Sequence, residues 1–207
     1  MKKAIYGYKG TARIVGILYI IGTVAGVLST RFIGGDSNAL KVGALLTLAM
    51  GFSLAFIPAF MFPILRKHNE AAGIGYIIFR GALETCTYII KAVCLLALSS
   101  IGANTVIQAI SDLSVTAFVF GIGALIFYAA LYKYKLIPRW LSGFGLVAIS
   151  LHIVSGTLVI FGLQEPFDTG SMIMNLPIAA QEMIMAVWLI VKGFTIQKNG
   201  GANDVNE

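Results

Sequence analysis

Apolar residues in this chain do not alternate with polar ones at short period. They come in six long blocks, at 14–30, 42–65, 75–98, 112–131, 141–162 and 171–192, separated by short polar stretches. A hydrocarbon core about 30 Å thick is crossed by about 20 apolar residues in a helix. Only helices and closed barrels satisfy their backbone groups without water. The pattern therefore predicts an all-α fold, a polytopic membrane bundle of six transmembrane helices. Residues 1–207 read as a single integral membrane domain, with a basic arm over 1–13 and a disordered tail over 198–207, where Asn and Gly dominate. A basic start before an apolar run is also how a signal peptide opens, but this run is long for one and reads as a retained first helix.

Punctuation inside the blocks refines the picture. Gly22 and Gly26 form a small-xxx-small pair, which lets a neighbouring helix approach closely. Pro58 removes a backbone hydrogen bond and is expected to bend the second helix. Ser111 and Asp112 suit the start of the fourth by capping it and by opposing its dipole.

Composition agrees with the pattern. The chain is 58% hydrophobic and 12% charged, with a mean hydropathy of +0.88, against about 45–50% and about 25% in soluble domains. The net charge of +6 does not point to nucleic acid, because the basic residues sit in turns and form no face with aromatic platforms. Eleven of them (Lys2, Lys3, Lys9, Arg13, Arg66, Lys67, Lys133, Lys135, Arg139, Lys192 and Lys198) fall on one side of a six-span topology, and only Arg31 and Lys41 on the other. The positive-inside bias then puts both termini in the cytosol, with Tyr132, Tyr134 and Trp140 at the interface. Cys86 and Cys94 are eight helical residues apart, roughly 12 Å, too far for a disulfide. The two histidines lie in different segments, and no nucleophile elbow, phosphate loop or zinc motif occurs. No catalytic residue, cofactor or metal is assigned.

The third block is the exception to the greasy pattern. It carries Arg80, Glu84 and Lys91. On a regular helix these fall within about 40° of one direction, with Thr87 and Tyr88 on or near the same stripe. Ionisable groups at membrane depth are costly and mark functional sites by default. Counting about 1.5 Å per residue from the cytosolic ends puts Glu84 roughly 13 Å deep, and His152 and Glu182 roughly 16 Å deep, near one midplane layer. The formal charges balance, Arg80 and Lys91 against Glu84 and Glu182. The candidate site is thus Arg80, Glu84, Tyr88, Lys91, His152, Gln181 and Glu182, with Asn175 and Ser155 as further hydrogen-bonding groups. One reading is a polar cavity that binds or transports a small molecule, lipid or ion. The alternative is a clamp holding helices three and six in a non-transporting assembly, stress-response or regulatory protein. A third class is a membrane enzyme using Glu84, His152 or Glu182 as acid or base.

Three stretches carry a resemblance: Ala12-Arg13-Ile14-Val15-Gly16-Ile17-Leu18-Tyr19, Phe79-Arg80-Gly81-Ala82-Leu83-Glu84 and Leu136-Ile137-Pro138-Arg139-Trp140-Leu141-Ser142. They resemble a bacterial family of small multi-pass membrane proteins defined by a domain of unknown function. The turn around Pro138 is its most specific part. The resemblance implies a bacterial inner-membrane protein and brings no established activity, so no catalytic role is carried over. The partners expected are the lipid bilayer and a small-molecule or lipid ligand. No nucleic acid is expected, and a homo-oligomer is compatible with the glycine pairs.

Overall fold

A computed structural model describes residues 2–33, 35–101, 115–165 and 168–195. The described residues are helical with no strand, and six helices are long and apolar enough to cross a membrane. The elements are α1 (Lys2–Thr30), α2 (Ser37–Leu65), α3 (Glu70–Tyr76), a π-helical segment (Ile77–Leu83), α4 (Glu84–Ile101), α5 (Val115–Lys133), α6 (Arg139–Ile160) and α7 (Thr169–Val191). The third span is continuous through α3, the π segment and α4. The expected cap at Ser111 and Asp112, and the tail over 198–207, lie outside the described residues.

Several boundaries differ from the apolar blocks because caps, rather than hydropathy, set them. The helix of the first span begins at Lys2, not at 14; lysine and arginine are good helix formers, so the basic arm continues the helix. The Asp36 side chain accepts from the Ala39 N–H at 2.8 Å and starts α2 five residues before the apolar block. Asn69 does the same for α3, accepting from Ala72 N–H at 3.1 Å, with Glu70 in the first turn opposing the dipole. Asp168 caps α7 through the Ser171 N–H.

Packing closes the six spans into a ring. α1 lies against α2, and α2 against α4; the π segment touches α5, α5 packs on α6, α6 on α7, and α7 returns to α1. In that circuit the third and sixth spans face each other. The Gly22–Gly26 pair is where α2 approaches α1: a Cβ at Gly22 would stand 2.9 Å from the Leu54 side chain. The inner face holds Tyr19, Ile57, Met61, Tyr76, Phe127, Tyr128, Leu141, Ile149 and Met185, all buried. The outer face exposes large apolar side chains on every span, such as Val27, Phe56, Val93, Leu125, Val147 and Val187. An apolar belt of this extent is matched to lipid rather than water. The chain is a membrane-embedded, multi-pass helical protein.

One end of the ring gathers the basic segments. Lys67 contacts Tyr8 with its ammonium over the ring, His68 stacks on Tyr134 at 4.7 Å, and the Thr195 N–H donates to the Leu136 carbonyl at 2.8 Å. The N-terminal arm, the 66–70 turn, the 132–140 turn and the chain after α7 thus meet on one face.

Candidate functional site

The π segment interrupts the regular helix that periodicity predicts over 75–98. Within it one extra residue is fitted into the turn, so the Glu84 N–H donates to Phe79 five residues back. Apolar periodicity does not register such a wide turn, and the stripe of 80, 84 and 91 is no longer a single straight line. The segment is gripped from both sides by close contacts. Gly81 lies against the ring of Pro58 on α2, and a Cβ at Gly123 on α5 would stand 3.2 Å from the Arg80 backbone nitrogen. Small residues here let two neighbouring helices seat the turn that carries Arg80.

Arg80 is the largest fully buried side chain among the described residues. Its Nη1 donates to both carboxylate oxygens of Glu84 at 3.1 Å, and its Nη2 donates to Glu182 Oε1 at 3.1 Å. The guanidinium also lies over the rings of Phe120, at 4.6 Å, and Tyr19, at 5.7 Å. One cation on the third span therefore touches the first, fourth and sixth spans. The Tyr88 hydroxyl donates to Glu84 Oε1 at 3.0 Å. Tyr19 and Tyr76 share a hydrogen bond at 3.2 Å, and Tyr76 stacks on Phe127 at 4.5 Å. The arrangement can hold charge at membrane depth because the guanidinium pairs with two carboxylates, one of which also accepts from a phenol.

A second polar group joins the fifth and sixth spans. His152 Nδ1 and Asn175 Oδ1 are 2.6 Å apart, and Asn175 Nδ2 donates to Ser155 and Ser171 at 3.3 Å each. The His152 ring meets Phe120 edge to face at 4.9 Å, so the imidazole reaches the Arg80 cluster through that aromatic ring.

Of the residues singled out from sequence, Arg80, Glu84, Tyr88 and Glu182 come together. His152 belongs to the Asn175 group instead. Gln181 is buried but turned toward the start of α6, donating to the Leu141 carbonyl at 3.3 Å. Lys91 is half-buried on α4, seven residues or roughly 10 Å beyond Glu84; the described bonds of Arg80, Glu84 and Glu182 do not include it. Tyr19, Tyr76, Phe120 and Tyr128 were not among the sequence candidates. Lone aromatics in apolar spans carry no pattern that separates them from ordinary core packing. Cys86 and Cys94 are free thiols. Among the described residues no three His, Cys, Asp or Glu side chains gather as metal ligands.

Fold and site together define a class: a six-span helical membrane protein whose packed ring encloses an ion cluster tying the third span to the sixth. More particularly, the chain belongs to the family described as Domain of unknown function (DUF4386), whose profile matches residues 14–193. No curated protein and no solved structure matches it.

Proposed function

We propose that the protein binds an ion or small polar solute at the centre of its ring and carries it across the bacterial inner membrane, with both termini in the cytosol. The observation that supports this reading is the ion cluster at membrane depth: one guanidinium faces two carboxylates, Glu84 and Glu182. Ionisable groups held at membrane depth are functional candidates by default, because their burial is costly. The topology follows from the gathering of basic segments on one face, which the positive-inside bias assigns to the cytosol.

A second reading has its own support. Arg80 and Glu182 are 102 positions apart in sequence and bond at 3.1 Å, so the cluster also serves as a clamp across the ring. The two readings separate in proteoliposomes holding trapped pH and Na⁺ dyes under an imposed K⁺ diffusion potential. Carriage predicts a flux above protein-free liposomes that Glu84→Gln and Glu182→Gln abolish. The absence of any such flux, with the variants changing only the melting temperature, would establish the clamp.

A further inference from the structure

Polar side chains on α6 and α7 form a ladder that runs from one end of the ring toward its centre. It begins at the end opposite the basic segments, where Asp168 caps α7 through the Ser171 N–H. The hydroxyl oxygens of Ser171 and Ser155 lie 3.3 Å apart, and Asn175 Nδ2 donates to both at 3.3 Å. Asn175 Oδ1 stands 2.6 Å from His152 Nδ1. His152 lies eight residues before the end of α6, so the ladder descends roughly 12 Å at about 1.5 Å per residue. Ser155 and Ser171 are buried, while Asn175 and His152 keep part of their surface open.

The ladder differs from ordinary helix packing in two respects. The neighbouring seam, between α5 and α6, is closed at similar depth by small residues against apolar side chains. A Cβ at Gly121 would stand 2.6 Å from the Ile153 side chain, and one at Gly156 2.8 Å from the Ala117 side chain. Hydrogen bonds between membrane helices contribute only about 0.6 kcal/mol on average, so helix association by itself gains little from a run of polar groups. Histidine within a membrane span is rare and marks solute and proton paths. The ladder ends on Phe120. That ring meets His152 edge to face at 4.9 Å and lies under the Arg80 guanidinium at 4.6 Å, so one aromatic side chain of α5 touches both the end of the ladder and the ion cluster.

We propose that the seam between α6 and α7 is the route by which water and a small polar solute reach the ion cluster from the end of the ring opposite the basic segments, with Phe120 as the barrier at its inner end. This rests on the reading of the cluster as a solute site and names how that site is entered. Ser171, Ser155, Asn175 and His152 supply donors and acceptors along the route in place of bulk water. Phe120 adds none, and its ring interrupts the polar contacts one step before Arg80.

Cysteine accessibility in sealed right-side-out and inside-out vesicles tests the route, using the full-length protein with Cys86→Ala and Cys94→Ala and a membrane-impermeant methanethiosulfonate. Exposed Glu165→Cys marks the side on which the 161–168 loop lies. Ser171→Cys, Asn175→Cys and Ser155→Cys are expected to be modified from that side and protected from the other. Tyr19→Cys, under the Arg80 guanidinium at 5.7 Å, is expected to be modified only when Phe120→Ala is added. Protection of Asn175→Cys and Ser155→Cys from both sides, with Glu165→Cys modified, overturns the route. Modification of Tyr19→Cys that does not depend on Phe120 overturns the barrier. Should the cysteine variants fail to fold, the unsubstituted protein in lipid nanodiscs carries the test. His152 is expected to take up deuterium at its imidazole C2 carbon, with exposed His68 as the reference, and no uptake at His152 overturns the route. A modified ladder in a protein that shows no flux in liposomes supports the route and refutes carriage. Flux with the ladder protected supports carriage and refutes this route.

Discussion

Replacing Arg80 with Met removes one positive charge and leaves a shorter, unbranched apolar side chain. Three guanidinium–carboxylate bonds, all at 3.1 Å, go with it, as do the cation contacts with Phe120 and Tyr19. Only the Arg80–Glu182 bond joins two spans, and a hydrogen bond between membrane helices contributes about 0.6 kcal/mol on average and up to about 1.7. Removing one partner of a buried ionic set costs about 3–5 kcal/mol, because the groups left behind are uncompensated. For a chain of this size each kcal/mol moves the melting temperature by about 2–4 °C, so Arg80→Met is expected to melt roughly 6–20 °C below the wild type. The measurement is the fraction remaining monodisperse on size exclusion after heating in detergent. The triple variant Arg80→Met, Glu84→Gln, Glu182→Gln should recover most of the loss, since it removes the stranded charges along with the cation. A single variant that melts with the wild type, or a triple variant no better than the single, would refute the account of the cluster as mutually compensating charges.

Other expectations follow from the same packing. A Cβ at Gly16 would lie 2.6 Å from the Ala186 backbone carbonyl, whereas Gly10 has open space around it. Gly16→Ala should therefore destabilise by about 1–3 kcal/mol, while Gly10→Ala is neutral or stabilising by up to about 1 kcal/mol; equal melting temperatures for the two would contradict the helix contact between α1 and α7. Tyr76→Phe strands the Tyr19 hydroxyl and should lower stability by about 1–3 kcal/mol, a loss that the double change Tyr19→Phe, Tyr76→Phe largely restores in the same heating assay. For topology, a cytosol-active reporter fused after Glu207 is expected to work and a periplasm-active one to be silent; the reverse result would overturn the inside placement of the termini.

The six-span architecture was legible in the chain because lipid imposes one rule on sequence: a helix that crosses it must be apolar for about 20 residues. The site was legible in part for the converse reason. Arg80, Glu84 and Glu182 stand out because charge at that depth is expensive enough to be rare, and the i, i+4 spacing of Arg80 and Glu84 already brings them together. What sequence did not carry was partnership across the ring. The pairing of Arg80 with Glu182 depends on which spans face each other. The position of His152 outside the cluster depends on Phe120, which lies against both His152 and Arg80. The selection of Tyr19, Tyr76 and Tyr128 from eight tyrosines depends on which of them point inward. The π turn around Arg80 likewise sits against Pro58 and Gly123 on neighbouring helices, contacts that hydropathy along one helix does not state. Hydropathy is summed along one helix, so the chain alone states it. Pairing is a relation between helices, and only close packing in three dimensions decides it.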